Sequence, residues 1–136
     1  MRTSIRISTH QRTEMIDITR QVEQVVHSHG IQSGVCIVFV PHTTAGITIQ
    51  ENADPDVKRD MLMEINKMVP FEDGYRHAEG NSAAHIKTAL FGSSESILID
   101  QGDLLLGRWQ GIYFCEFDGP RQRTVHIKLI KDKEGE

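Results

Sequence analysis

The chain has 136 residues, 38% of them hydrophobic and 25% charged, with a formal net charge of −4. That length and balance fit a single globular domain over residues 1–136 that buries a real apolar core, and they exclude a disordered chain. The acidic balance provides no basic footprint for nucleic acid, and no window approaches the ~20 apolar residues of a membrane span.

The first residues, Met1-Arg2-Thr3-Ser4-Ile5, lack the apolar stretch of a secretory signal, so the expected compartment is the cytoplasm. Residues 3–8 alternate Ile5 and Ile7 with polar residues, the pattern of a half-buried strand. Thr19 is placed to cap a helix running to about Ser28, with Val22, Val25 and Val26 on one face and Gly30 just past its end. Residues 35–40 are a continuous apolar run stopped by Pro41, which predicts a strand buried on both faces. Residues 46–50 alternate again and predict another strand.

Asp54 is a good N-cap, and Pro55 then occupies the first helical position, where its missing N–H costs nothing. Val57, Met61, Ile65 and Met68 make one apolar stripe, and Pro70 closes the helix. A polar loop over residues 71–80 follows. Asn81 or Ser82 then starts a short helix to Phe91, with Gly92 as its stop. Residues 97–99 predict a strand ending in a turn at Gln101-Gly102-Asp103. Residues 108–117 predict a long one, with Trp109, Tyr113, Cys115 and Phe117 on one face and Gln110, Ile112, Phe114 and Glu116 on the other. Asp118-Gly119-Pro120 reads as a turn and residues 121–130 as the returning partner of a hairpin. The tail 131–136 is expected to fray. Strands at both ends with helices between them point to an α+β domain on a mostly antiparallel sheet.

Both cysteines, Cys36 and Cys115, sit in apolar runs and read as small buried hydrophobes. The histidines carry more information. His42 follows a buried strand and a proline, with Thr43 and Thr44 adding hydroxyls that bind phosphate or orient water; the plainer role is a histidine capping a strand end. His77 lies in the polar loop. His85 lies four residues after Asn81, on the same helix face, where Asn81 can fix its tautomer and the helix start offers N–H groups to an anion. The plainer alternative is Asn81 as a simple N-cap and His85 as an exposed helix residue. Three histidines from separate segments can close three positions on zinc and leave one for water, although no fixed-spacing metal motif is present. His27 and His29 sit near a helix end, and His10 and His126 carry no signal. Glu116, among apolar neighbours, must be either paired or raised in pKa. Arg121 and Arg123 can grip phosphate through their bidentate forks, or simply make hairpin salt bridges with Asp118 and its neighbours.

Several segments together match one pattern. They are His42-Thr43-Thr44-Ala45-Gly46-Ile47-Thr48-Ile49-Gln50-Glu51-Asn52-Ala53-Asp54-Pro55; His77 with Gly80 and Asn81; Ala84-His85-Ile86-Lys87; and Gly107-Arg108-Trp109-Gln110-Gly111-Ile112 with Glu116. In that order and at those spacings they resemble the YjbQ family, also called the secondary thiamine-phosphate synthase family. The resemblance covers nearly the whole chain. Two positions depart from the pattern, with Arg108 where the family usually has Thr and Gln50 where it usually has Asn.

The resemblance implies a jelly-roll-like β-sandwich with two or three outer helices, assembled as a homotrimer. It also implies a weak thiamine-phosphate synthase activity, which joins an aminopyrimidine methyl diphosphate to a thiazole phosphate and releases pyrophosphate. On this reading the substrate is a small phosphorylated molecule bound by Thr43, Thr44, Asn81, Arg121 and Arg123. His42, His77 and His85 hold a divalent metal or assist proton transfer; zinc would sit at the histidines, or magnesium would accompany the diphosphate. Glu116 orients a histidine or serves as a base, which makes His77, His85 and Glu116 the candidate catalytic groups. Two alternatives stand beside it: a zinc-dependent hydrolase with a three-histidine site, and a non-catalytic trimeric metabolite-binding protein.

Overall fold

The computed structural model describes residues 2–133, which fold as two packed antiparallel sheets flanked by helices. In chain order the elements are β1 (Arg2–Ser8), β2 (Glu14–Asp17), α1 (Thr19–His29), β3 (Gly34–Phe39), β4 (Ala45–Glu51), α2 (Pro55–Met68), α3 (Ser82–Phe91), β5 (Ser94–Asp100), β6 (Asp103–Leu104), β7 (Gln110–Glu116) and β8 (Gln122–Lys131). The larger sheet runs β1-β8-β3-β5-β6 and the smaller β2-β7-β4. The α+β antiparallel sandwich expected from the sequence is the fold observed. Of the tail expected to fray, Lys131 ends β8 and residues 134–136 lie outside the described residues.

The core follows from strand alternation. Ile7, Cys36, Val38, Ile97, Ile99, Val125 and Ile127 from the larger sheet meet Ala45, Ile47, Ile112 and Phe114 from the smaller. Val22, Val25 and Val26 of α1 join the same cluster. The opposite face of β7 carries Tyr113, Cys115 and Phe117, covered by Ala84 of α3 and by Met61 and Leu62 of α2. Both cysteines are free and buried, and burial pushes the Cys36 thiol up to about 11.

Five details differ from the sequence expectation. Thr19 is the first residue of α1 rather than its cap. Its amide and hydroxyl both donate to Asp17 Oδ1, at 2.9 and 2.5 Å, because the residue at the cap position, Ile18, is committed to the core. β3 is buried on one face only: Val35, Ile37 and Phe39 face outward, since no layer covers that side of the larger sheet. Met68, in the apolar stripe of α2, is 63% exposed, because the seam under α2 closes at Ile65 and Val69. Two short strands, β2 and β6, fall where no strand was expected.

The fifth difference matters most for the site. β8 does not return beside β7. It crosses to the other sheet and pairs with β1 and β3. The crossing runs through Asp118-Gly119-Pro120, where a Cβ at Gly119 would stand 2.3 Å from the Gln11 carbonyl oxygen, so only glycine fits. Because of this crossing, the inward faces of β7 and β8 oppose each other across the sandwich instead of lying side by side.

Candidate functional site

The end of the sandwich nearest this crossing is built around one buried ion pair. Glu116 shares its face of β7 with Ile112 and Phe114, and Arg123 shares its face of β8 with Val125 and Ile127, so both point inward. Arg123 Nε donates to Glu116 Oε1 at 2.8 Å, and Nη2 donates to Oε2. Nη2 also donates to the Thr44 hydroxyl at 2.9 Å. Glu116 accepts further bonds from the Thr9 hydroxyl (2.8 Å) and the Asp118 amide (2.9 Å). Glu116 is 0% and Arg123 4% exposed. Burial alone would raise the Glu116 pKa, yet the hydrogen bonds from Arg123, Asp118 and Thr9 outweigh it and hold the carboxyl below its ordinary range. Of the two states the sequence allowed for Glu116, the paired one is observed, and its partner is an arginine rather than a histidine.

His42 is positioned by the end of β3. In the β3–β8 register Phe39 stands opposite His126, which brings Pro41 level with Thr124. Proline cannot continue the ladder, and the Thr124 amide left over donates to His42 Nε2 at 3.0 Å. The ring does cap a strand, as its plainer role required. With its Nε2 lone pair engaged, the neutral imidazole carries its proton on Nδ1. Burial, and then the Arg123 guanidinium, lower its pKa and favour that neutral form.

From the other side α3 presents Asn81, His85 and Thr88 at spacings of four and three, one helical stripe. Asn81 sits at the cap position without capping. Its Nδ2 donates to Asp118 Oδ2 at 2.9 Å, so it braces the sheet crossing rather than the ring of His85. The same Asp118 oxygen accepts from Arg121 Nη2 at 2.6 Å. His77 meets His85 edge to face, with ring centroids 5.4 Å apart. Among the described residues two buried side-chain polar atoms lack a partner, Asn81 Oδ1 and Thr88 Oγ1, and both lie on this stripe. An unpaired buried polar atom costs about 1–3 kcal/mol, so such atoms call for an explanation.

These groups enclose a cleft of about 410 Å³. His42, His77, His85, Thr43, Thr44, Asn81, Arg121 and Arg123 all line it, and so does Glu79. Glu116 does not, and acts on the cleft through the residues it holds, Arg123 above all. Sequence reasoning missed Thr9 and the Thr124 amide. Thr9 had a legible signal: with Ile5 and Ile7 it continues the inward-facing parity of β1, where a polar residue needs a buried partner. The Thr124 amide had none, because its role depends on where a different strand stops. Arg108 stacks on Trp109 at 4.6 Å, beyond the far end of β7 from Glu116, so this departure from the family pattern lies away from the cleft.

The histidines as arranged do not fit a three-histidine zinc centre. His42 has its Nε2 lone pair engaged and its proton on Nδ1. Among the described residues no three His, Cys, Asp or Glu side chains are placed to hold a metal ion. No helix of the described residues is long and apolar enough to cross a membrane.

The fold and this cleft define a small antiparallel-sandwich domain with a histidine- and arginine-lined site. The family model described as "UPF0047 protein YjbQ-like" matches residues 3–132, so the chain belongs to the YjbQ/UPF0047 family. The UPF0047 protein YugU of Bacillus subtilis is 55% identical over 128 residues, covering 93% of this chain and 97% of that protein. A UPF0047 protein of Methanocaldococcus jannaschii is 48% identical, covering 93% of this chain and 92% of its own. Among solved structures, an uncharacterized conserved protein of the family from Clostridium acetobutylicum superposes with a TM-score of 0.93 at 53% identity, covering 94% and 99% of the two chains. A protein of unknown function from Sulfolobus solfataricus does so at 0.93 and 31% identity, covering 97% of each chain.

Proposed function

We propose that the cleft is the active site of an enzyme acting on small phosphorylated molecules, with a weak thiamine-phosphate synthase activity as its named instance. The observation that carries this reading is the convergence of His42, His77 and His85, from three separate segments, with Arg121 and Arg123 on one cleft. Arg121 and Arg123 are each held by a carboxylate through Nε or Nη2, and each keeps Nη1 unpartnered among the described residues. A guanidinium fixed in this way offers its remaining donor to an anionic oxygen without first losing side-chain freedom.

In the synthase reaction the C–O bond between the aminopyrimidine methylene and the diphosphate breaks. The thiazole nitrogen lone pair forms the new C–N bond, and the negative charge falls on the departing pyrophosphate. The Nη1 groups and His42 Nδ1–H are donors suited to that charge, with Thr43 and Thr44 beside them. His77 and His85 are the groups suited to passing a proton to the leaving oxygen. Magnesium accompanying the diphosphate belongs to the substrate. Glu116 acts as a positioning residue that aims Arg123.

The homotrimer that the family resemblance implies is part of this proposal. The outward row Leu98–Val35–Ile130 beside Phe39, on the uncovered face of the larger sheet, gives such an assembly an apolar surface. Light scattering on the purified chain measures it, and a monomer at micromolar concentration would remove the trimer from the proposal.

The test of the reaction is an assay with both thiamine precursors and magnesium, using protein from a host lacking its own synthase. Turnover in wild type and its loss, by about 100-fold or more, in His85→Ala is the expected result, on the scale of general acid–base catalysis. Absence of turnover in wild type, or equal turnover in the variant, overturns the assignment.

A further inference from the structure

One wall of the cleft comes from the connection between α2 and α3. Residues 71–80 bring His77 and Glu79 to it, and both are exposed. The two ends of this loop are fixed. Val69 is 8% exposed and its amide donates to the Ile65 carbonyl at 3.0 Å, while Asn81 is bonded to Asp118. Between those ends the backbone is free of the sheets and helices. Among the described residues its only backbone hydrogen bond is internal, from the Gly80 amide to the His77 carbonyl at 3.0 Å. Gly74 and Gly80 have φ of +70° and +74°, and a Cβ at either would meet nothing within 4 Å. The chain turns there in open space, so side chains alone seat the loop.

Those side chains are few. Phe71 and Tyr75 pack against Ile65, Val69 and Ala83, the Tyr75 hydroxyl donates to the Pro70 carbonyl at 2.8 Å, and His77 meets His85. The seat of Phe71 is built from cations. Lys87 Nζ lies 3.9 Å from the ring centre and Arg12 Cζ 4.2 Å from it. Lys87 is 0% exposed, and no ion pair among the described residues includes it. A buried ammonium without an opposite charge is costly, and an apolar side chain would fill the seam at less cost. What Lys87 adds is its hold on the ring and on Asn66. Asn66 Nδ2 donates to the Thr13 hydroxyl at 3.2 Å, so Arg12 and Thr13 tie the seat to residues 9–13, between β1 and β2. The same connection touches the buried ion pair: Thr9 bonds Glu116, and the Arg12 carbonyl accepts from the Gly119 amide at 3.1 Å. One short connection thus meets both the fixed floor of the cleft and the seat of its loosely held wall.

We infer that residues 71–80 are a lid on the cleft and that Arg12, Phe71 and Lys87 are its latch, positioning residues that keep the His77 ring against His85. With Phe71 seated, His77 completes the cleft wall. With Phe71 out of its seat, only Tyr75 and the His77–His85 contact hold the loop, and His77 leaves the cleft. α3 carries both halves of the device, because His85 and Lys87, two residues apart, point to opposite sides of the helix. The lid follows from the fold; what it closes over rests on the phosphate site proposed above.

Limited digestion of the full chain with trypsin tests the latch. Arg76 is the one arginine or lysine in the loop. A protease must draw the chain out of its folded path, so the cleavage rate at Arg76, followed by mass spectrometry, reads the open fraction. Phe71→Leu keeps an apolar side chain and removes the aromatic face; it is expected to raise that rate about tenfold. Arg12→Gln, at an exposed position that leaves the core untouched, is expected to raise it about threefold. Leu90→Ala, exposed elsewhere on α3, should cut as wild type does. The His85 ring-proton resonance supplies a readout that loss of overall stability would not move. His77→Ala sets the position it takes without its neighbour. Phe71→Leu should shift it at least halfway there, while the His42 resonance, held by Thr124, stays in place. Equal rates at Arg76 in wild type, Phe71→Leu and Arg12→Gln, or an unmoved His85 resonance, overturn the latch. Inorganic pyrophosphate links lid to cleft and should slow cleavage of wild type by about fivefold or more. If it does not, while the variants open as expected, the lid stands and the phosphate reading falls. If it does, while the variants cut at the wild-type rate, the latch falls and the phosphate reading stands.

Discussion

Among the described residues two cations, Arg123 and Lys87, are buried, and the fold treats them in opposite ways. At the cleft, Arg123 meets a carboxylate, two threonine oxygens and a strand end, and the Glu116–Arg123 pair stays ionised. In the seam between α2 and α3, Lys87 is 0% exposed and finds only neutral partners. Its Nζ donates to Asn66 Oδ1 at 2.7 Å and lies 3.9 Å from the centre of the Phe71 ring. Arg12 stacks on the same ring at 4.2 Å. Burial, and then the Arg12 charge, lower the Lys87 pKa to about 8. A buried charge keeps its ionisation when an opposite charge is fixed beside it, and moves toward neutrality when the surroundings offer only dipoles. The cleft therefore owes its fixed guanidinium to Glu116, and the α2–α3 seam has no comparable charge to present.

The contrast is broken most severely by removing one member of the ion pair. Glu116→Gln leaves Arg123 buried and unpaired and should cost about 3–5 kcal/mol in urea denaturation, whereas replacing both residues with well-packed apolar ones should recover most of that. The same pair predicts the acid side of the stability curve. The Glu116 pKa is lower folded than unfolded. Its contribution is therefore fully present above the unfolded glutamate value of about 4.3 and is lost as pH falls through the folded one. Glu116→Gln should flatten that part of the curve.

Lys87 predicts the opposite end. Between its folded pKa of about 8 and the unfolded value of 10.5 the unfolded chain binds more protons, so stability rises with pH across that window. The rise should reach about 3 kcal/mol at most and be absent in Lys87→Met, read as the difference between the two proteins' denaturation curves at pH 7.5 and 10. A flat difference would mean that Asn66 and Phe71 compensate the charge as well as a carboxylate does. Smaller still, Thr44→Val removes a hydroxyl bonded to Arg123 and should cost about 1.5–3 kcal/mol, the range for hydrogen bonds to charged groups. The smallest effect belongs to Arg121, whose bridge to Asp118 is half exposed. Arg121→Gln should change stability by less than about 1 kcal/mol, so any loss of phosphate binding in it reports on the site itself.

Much of the candidate site was legible because its parts are local. His42 after Pro41, Asn81 with His85 one turn on, and Arg121 and Arg123 on one strand are spacings of a few residues. The parity of β7 was legible too, with Glu116 on one face with Ile112 and Phe114, whereas Arg123 read only as a neighbour of Arg121 and its inward parity with Val125 and Ile127 is seen in the fold. Asn81 as a brace for His85 was the natural local inference, and it fails because Asp118 lies closer to Asn81 in the fold than any sequence spacing reveals.

The sequence by itself placed the helices and the longer strands to within a few residues, β2 and β6 excepted, since those signals act within a turn. The Asp54 carboxylate accepts from the Asp56 amide, Pro55 opens α2, and Gly30 ends α1 in the left-handed conformation. Only the tertiary structure decided which sheet receives β8, and with it that Glu116 faces Arg123 and that Thr9 and Thr44 complete their shell. Those contacts join residues 107 and 79 positions apart in the chain. Their strength depends on how completely the assembled sandwich excludes water. No window of sequence carries that quantity, because it exists only once both sheets have closed over the pair.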